Sequence, residues 1–136
     1  MNATFSLLGR LGLSLIFIIS GWGKIAGYAA TQQYMQAMGV PGGLLQLVIA
    51  LEVGGGLAIL AGGFTRWIAL ALAAFSLASA ALFHGLGDPA QAIHFWKNVA
   101  MAGGFLMLAA NGAGALSLDA AWSRRRASSN ASLATA

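Results

Sequence analysis

Long apolar intervals separate the few charged positions of this chain. Residues 67–86 and 98–118 each lack Asp, Glu, Lys and Arg over about 20 positions, the length that an α-helix needs to cross a ~30 Å hydrocarbon layer. Residues 5–23 and 44–63 have similar length and hydrophobicity, but each contains one charge, Arg10 or Glu52. The pattern therefore predicts four transmembrane helices.

Backbone groups inside a bilayer must satisfy their own hydrogen bonds, so spans of this length are helices. We expect an all-α membrane protein, a four-transmembrane-helix bundle that forms one domain over residues 1–122. The connection at 24–43 is too polar to span but carries tyrosines and methionines, which predicts a short interfacial helix ended by "GVPGG". Residues 123–136 are predicted to form a basic, disordered cytoplasmic tail.

Basic residues predict the orientation. With four crossings both termini lie on one side, which would hold Arg10, Arg66 and residues 124–126, against only Lys24 and Lys97 on the other. The excess of basic residues predicts that both termini are cytoplasmic.

Composition supports a membrane protein and excludes several other classes. Hydrophobic residues make up 59% of the 136 positions and charged residues only 7%, too few polar groups to coat a soluble globule. The net charge of +4 is explained by topology, so no nucleic-acid partner is expected. The chain has no cysteine, which excludes disulfides, thiol redox chemistry and cysteine-bound zinc or iron–sulfur clusters.

Helical spacing places polar and small residues on one face of each span. The predicted faces are Arg10, Ser14, Phe17, Gly21 and Lys24 in the first span; Glu52, Gly55, Gly56 and Ile59 in the second, beside a small-residue seam at Gly54, Ala58 and Gly62; Ala69, Ala73, Ser76 and Ala80, leading to His84, in the third; and Lys97, Met101, Gly104, Leu108 and Asn111 in the fourth.

Glu52 is the residue that most needs an explanation. It lies about eight residues, or roughly 12 Å, inside its span, where a bare carboxylate costs several kcal/mol. It must hold a proton or face a cation within the bundle. We expect Arg10 to be that cation, because Arg10 is equally costly in its own span; Lys24 and Lys97 are the alternatives.

Two interpretations of this polar centre stay open. Arg10 and Glu52 could form a structural pair that fixes helix register. Alternatively, the pair could line a pocket for a quinone-like ligand or a proton path.

The remaining polar residues also have two interpretations. Lys24 and Lys97 are either interface anchors or ligand contacts. His84 and His94 are expected to face water or head groups, because their spacing with Asp88 is not that of a tight metal site.

Three segments closely resemble the DoxX family of bacterial four-helix inner-membrane proteins: "SGWGKIAGYAATQQYMQAMGVP", "LEVGGGLAILAGGFTRWIAL" and "GAGALSLD". The resemblance covers about residues 5 to 122. It places the family's motif residues on Arg10, Gly21, Lys24, Glu52, Ser117 and Asp119. It also implies a location in the bacterial inner membrane.

The resemblance implies a membrane component of a quinone-linked oxidoreductase system, with the lipid bilayer and redox subunits as partners. Glu52 would exchange a proton, Arg10 would control its proton affinity, and Lys24, with His84 and Lys97, would bind a non-covalent quinone. No haem, metal or iron–sulfur cluster is expected.

Rival functions belong to other classes. One is a non-enzymatic scaffold or a protein that binds a small hydrophobic molecule. A transporter is a weaker third hypothesis, because four short helices offer little room unless the protein forms a homo-oligomer.

Overall fold

The described residues of the chain fold into six helices joined by short connections. The computed structural model describes residues 2–134, and within them every regular element is helical. The helices are α1 (Asn2–Ala26), α2 (Tyr28–Ala37), α3 (Gly42–Ala61), α4 (Thr65–Phe83), α5 (Pro89–Asn111) and α6 (Leu118–Ala134). In the described part of the chain α1, α3 and α4 are long and apolar enough to cross a membrane.

α5 corresponds to the fourth predicted span. Its 23 residues would extend roughly 35 Å at ~1.5 Å per residue, which is also a membrane-spanning length. The first turns of α5 carry Gln91, His94 and Lys97, so they are more polar than the other three helices. The crossing of α5 therefore stays a prediction.

The buried stripe of α1 is the one that helical spacing predicts. Arg10, Ser14, Phe17 and Gly21 are buried, and Lys24 is half-buried at the end of the stripe. In α4 all four predicted face residues are buried as well, from Ala69 to Ala80. These two faces meet the remaining helices in one core.

The predicted face of α5 is confirmed at Leu108 but lies one position too early at Lys97, Met101 and Gly104. Asn98, Ala102, Phe105 and Leu108 are buried, whereas Lys97 is exposed. The reason is aromatic packing: the Phe105 ring lies edge-on to Phe17, with 5.3 Å between ring centroids. Burying this large ring leaves Met101 and Gly104 of the predicted face half-buried and Asn111 exposed.

Close approach between α1 and α3 depends on glycine. A Cβ atom added at Gly56 would lie 2.8 Å from Ile18 Cγ1, and one added at Gly21 would lie 2.6 Å from Val53 Cγ2. The predicted seam at Gly54 is wrong, because Gly54 is exposed and an added Cβ there would meet nothing within 4 Å. Gly56 makes the contact with α1 instead, while Gly55 faces Ile68 and Leu72 of α4.

α2 forms in the connection where the sequence predicts a short helix. It packs Met35 into the protein and stacks Tyr34 on Phe83 of α4, with 5.7 Å between ring centroids. Gly39, with φ of 78°, and Pro41 end this segment before α3 begins, as the sequence predicts. The interfacial position of α2 stays a prediction.

The tail, residues 123–136, was predicted to be disordered, but the part of it that the structure describes is helical. Residues up to Ala134 continue as α6, so the predicted domain boundary after residue 122 falls inside a helix. α6 begins where Ser117 Oγ accepts a hydrogen bond from Ala120 N, and its Trp122 ring packs against Phe64 at 5.3 Å. These two contacts give the polar helix a fixed start. The prediction for residues 135–136 lies outside the described residues.

Candidate functional site

The buried carboxylate of Glu52 is paired with Lys24 and not with Arg10. Lys24 Nζ lies 2.9 Å from Glu52 Oε2 and donates a hydrogen bond of 3.0 Å to Oε1. The Glu52 side chain is 4% exposed and that of Lys24 is 25% exposed. The expected Arg10 partner is therefore wrong, and the alternative lysine supplies the cation.

A hydroxyl group completes this arrangement. Ser20 Oγ accepts a hydrogen bond from Lys24 Nζ at 2.7 Å and donates to Glu52 Oε1 at 3.4 Å. Within the described residues, no hydrogen-bond donor is aligned on Glu52 Oε2, although Lys24 Nζ lies close to it. This buried oxygen keeps an unused acceptor position.

The local shape of α3 positions Glu52. Residues Ala50–Gly54 form a π-helical turn, which inserts one extra residue into an otherwise α-helical segment. Opposite this turn, a Cβ atom at Gly21 would lie 3.1 Å from Glu52 Cβ. The missing side chain at Gly21 lets α1 approach closely, so that Lys24, one turn further along α1, reaches the carboxylate.

Glu52 and Lys24 line a cavity of about 220 Å³ between α1, α3, α4 and α5. We call it the Glu52 cavity. Its wall combines charged groups with rings and a thioether, so it offers both polar contacts and apolar faces. The lining residues are Ile16, Phe17, Ser20, Lys24, Glu52, Phe75, Ser79, His84, His94, Lys97, Asn98 and Met101.

Two histidines and a lysine lie together on one wall of the Glu52 cavity. The rings of His84 and His94 stack with 5.3 Å between centroids. Lys97 Nζ lies 3.2 Å from His94 Nδ1, and Gln91 Oε1 lies 2.8 Å from His84 Nδ1. The fold thus brings His84 and Lys97, from separate helices or their connection, to the same cavity as Lys24.

A second cavity of about 190 Å³ lies under α2. It shares Lys24, Glu52 and His84 with the Glu52 cavity, together with Phe75 and Ser79. Its remaining lining residues are Thr31, Tyr34, Met35, Val48 and Phe83. The Lys24 and Glu52 ion pair therefore lines two neighbouring cavities, and α2 covers the second of them.

Arg10 lies at the other end of α1 and serves a different purpose. It is 14 residues from Lys24, which corresponds to roughly 21 Å along the helix. Its Nη1 donates to the carbonyls of Ile59 and Leu60 at 3.3 and 3.0 Å, and its Nη2 donates to Leu116 O. Arg10 thus supplies donors to carbonyls at the end of α3, where the Ile59 carbonyl also accepts from Gly62 N at 3.1 Å.

The backbone around Arg10 explains why glycine follows α3. Gly62 has φ of 71°, and a Cβ atom there would overlap Arg10 Nη1. A side chain at this position would displace the guanidinium group, and the left-handed conformation disfavours residues other than glycine.

Asp119 caps the next helix from the same region. Its Oδ1 accepts from Phe64 N at 2.8 Å and its Oδ2 from Thr65 N at 3.0 Å. Burial alone would raise the pKa of Asp119, but these backbone hydrogen bonds and the charge of Arg10 outweigh it and hold the pKa below its ordinary value. Arg10 and Asp119 therefore join α3, α4 and the segment before α6.

The site includes polar residues that the sequence reasoning missed. Ser20 lies four residues before Lys24, a helical spacing that could have identified it as a partner. Asn98 is buried, lines the cavity, and donates to His94 O at 3.0 Å. The position of Asn98, one helical turn after His94, is the sequence feature that could have identified it.

Asp88 has a capping role. Its Oδ1 accepts a hydrogen bond from Ala90 N at 2.9 Å, so it caps the start of α5. The described part of the chain contains no cluster of three or more residues suited to a metal ion.

Known proteins with similar sequences identify the family. The DoxX family model matches residues 5–85. Inner membrane protein YqjF of Escherichia coli (strain K12) is 54% identical over 114 residues, which cover 83% of this chain and 88% of that protein. Inner membrane protein YphA of the same strain is 40% identical over 121 residues, which cover 83% of this chain and 86% of that protein.

No solved structure is significantly similar to the chain. The match over more than half of the chain and the identity to YqjF confirm the resemblance seen in the sequence. The relatives named as inner membrane proteins agree with the three long apolar helices of the described residues. The chain is therefore an integral membrane protein that belongs to the DoxX family.

Proposed function

We propose that this protein is a membrane component of a quinone-linked oxidoreductase system and that the Glu52 cavity binds the quinone head group. The observation that carries the proposal is a buried carboxylate, paired with Lys24, on the wall of a cavity that also contains His84 and Lys97. Perturbed, buried ionisable groups inside a membrane protein are typical of ligand and proton sites.

The size of the two cavities favours a head group over a whole lipid-soluble molecule. At about 220 and 190 Å³, each is smaller than the ~300–1,000 Å³ of pockets that enclose drug-sized ligands. A ring would fit within the bundle while an isoprenoid tail stays in the lipid.

The residues on the cavity wall fit the chemistry of a quinone. The two ring oxygens of a quinone accept hydrogen bonds, for which Lys24 and Lys97 are donors. The hydroxyl groups of the reduced form donate, and Glu52 Oε2 is a buried acceptor without an aligned donor. Phe17 and Phe75 would flank the ring with apolar faces.

A bound quinone carries two electrons and two protons between its oxidised and reduced forms. In the proposal a partner redox protein supplies or accepts the two electrons. Glu52 holds one exchanged proton on its carboxyl group, and the other passes to water beside His94 and Lys97. Lys24 orients the head group and compensates the Glu52 charge when the proton is absent. Arg10 has no part in this chemistry, because it lies roughly 21 Å away along α1.

We also propose the location and topology that the sequence predicts. The protein would lie in the bacterial inner membrane with α1, α3, α4 and α5 crossing it and α2 at the interface. Exposed Trp22 and Trp96 would mark one interface and exposed Trp67 the other.

Titration with a short-tailed quinone tests the proposed function. We expect the wild-type protein in detergent to bind it, and Glu52→Gln to weaken binding at least tenfold, because the amide cannot hold the exchanged proton or pair with Lys24. Asp88→Asn is the matched control, since it makes the same chemical change outside the cavity. Binding measured by tryptophan fluorescence should be unchanged in that control.

Equal affinity in wild-type and Glu52→Gln proteins would contradict the proposal. One observation favours the rival scaffold function: Lys24, Ser20 and Glu52 already bond to one another. In that case Glu52→Gln would lower the melting temperature and no quinone would bind to either protein.

A further inference from the structure

A third cavity lies at the Arg10 end of the bundle, away from the proposed quinone site. It has a volume of about 370 Å³ and is formed between α4 and α6. Arg66, Trp67, Asp119, Trp122, Ser123 and Arg126 contribute to its wall. None of these residues lines the Glu52 cavity, so this cavity needs an explanation of its own.

The two arginines on its wall are without partners. Among residues 2–134, neither Arg66 nor Arg126 forms a salt bridge or donates a side-chain hydrogen bond. Arg66 extends over Gly112, where an added Cβ atom would lie 3.8 Å from Arg66 Nε. Asp119 does not neutralise them by direct contact, because its two oxygens accept from the backbone of Phe64 and Thr65.

The arrangement matches the chemistry of a phosphate diester. Two guanidinium groups from different helices present planar sets of donors to one space, the geometry in which arginine binds phosphate oxygens. The hydroxyl of Ser123 donates to Asp119 O within its own helix, so the arginines supply the free donors. The local charge is positive, since two arginines face one carboxylate.

The surroundings identify the source of the phosphate as a lipid. Trp67 is 76% exposed at the start of the apolar helix α4, and Phe64 beside it is 66% exposed. Exposed aromatic rings at the end of a spanning helix lie at head-group level in a bilayer. Acyl chains could therefore extend along α4 while the phosphate reaches the arginines.

We infer that this cavity binds the head group of an anionic phospholipid. Binding would hold α6 against α4 through one bridging phosphate. Basic pockets next to spanning helices are a recurrent way of recognising anionic lipids.

Native mass spectrometry of the full chain tests this inference. Protein in neutral detergent is titrated with phosphatidylglycerol or phosphatidylcholine, and bound lipid is counted. We expect selective binding of phosphatidylglycerol, weakened about fivefold by Arg66→Gln or by Arg126→Gln. Arg124→Gln is the matched control: it removes the same charge from the same helix but does not line the cavity. It should change the affinity less than twofold.

Three results would overturn the inference. Equal losses in Arg124→Gln and Arg126→Gln would show a diffuse attraction to a basic helix. Displacement of the lipid by millimolar inorganic phosphate would show a site for free phosphate. Tighter binding of a short RNA than of phosphatidylglycerol, with the same sensitivity to Arg66→Gln, would show a nucleic-acid surface. Melting temperatures of the variants verify that each remains folded.

Discussion

At the residue scale, the two charges buried in the first two spans have separate partners and separate roles. Glu52 is neutralised by Lys24 within a cavity, whereas Arg10 is satisfied by backbone carbonyls. Both solutions remove the cost of a bare charge in hydrocarbon. Only the first leaves polar atoms facing an open space, which is why we place the ligand there.

Replacing Arg10 with methionine should destabilise the protein without emptying the quinone site. The carbonyls of Leu60 and Leu116 would each lose a donor, at about 1–3 kcal/mol for each group left unsatisfied, whereas the Ile59 carbonyl keeps its bond from Gly62 N. We expect a much lower melting temperature in detergent but unchanged quinone affinity at low temperature. Arg66→Met, which removes an arginine without hydrogen bonds, should shift the melting temperature little. A tenfold loss of quinone affinity in Arg10→Met would show that Arg10 does contribute to the quinone site.

Asp119 should make stability depend on pH in the acid range. Its pKa is lowered in the folded protein, so its contribution is present above the unfolded value, near 3.8, and is lost as the pH falls through the folded value. Melting temperatures of wild-type and Asp119→Asn proteins should therefore differ by a constant amount above about pH 5. The difference should shrink below pH 3.8. A gap that widens on acidification would contradict the capping role.

At the element scale, the sequence predicts the buried face of a helix well where polar or small residues recur at helical spacing between large apolar ones. Arg10, Ser14 and Phe17 of α1 follow the predicted face throughout. In α5 the predicted Met101 is only partly buried against the core, whereas Phe105 is fully buried because its ring packs against Phe17.

Two other features of the helices could not be predicted from the sequence pattern. A π-helical turn has no clear sequence signature, so the position of Glu52 relative to Lys24 could not be derived from regular helical spacing. Glu52 pairs with Lys24 instead of Arg10 because of that geometry. Arg10 donates instead to backbone carbonyls, which a sequence pattern does not show. The order of α6 depends on Ser117 and on a ring contact across 58 residues, between Phe64 and Trp122.

The π-helical turn is open to a direct test by deletion. Removing Val53 should convert Ala50–Gly54 to regular α-helix and change the direction of the Glu52 side chain relative to the neighbouring turns. We expect quinone binding to be lost while circular dichroism shows the same helix content. Val53→Ala, which keeps the turn, is the control and should retain binding. Binding unaffected by the deletion would mean that the turn does not position the carboxylate.

At the scale of the whole molecule, the number of crossings decides which cavity faces which side of the membrane. If α5 crosses, the connection before it and α6 lie on opposite sides, and the quinone and lipid sites belong to different leaflets. In the structure the connection before α5 follows the end of α4 and Asp119 caps the beginning of α4, so α5 returns along the length of α4.

The absence of cysteine makes labelling of single introduced cysteines unambiguous. Gly87→Cys and Ser128→Cys are placed on either side of α5. We expect a membrane-impermeant maleimide added to intact spheroplasts to label Gly87→Cys but not Ser128→Cys. Labelling of both from outside would show three crossings and refute the four-helix topology.

Mass spectrometry of the lipid-soluble molecules that co-purify with the protein tests the proposed Glu52 site most directly. Wild-type protein and Arg10→Met should carry a quinone in near-stoichiometric amount, and Glu52→Gln should carry less than a tenth of it. A wild-type preparation without quinone, or equal quinone in the Glu52→Gln protein, would contradict the assignment of the Lys24 and Glu52 pair as a quinone site.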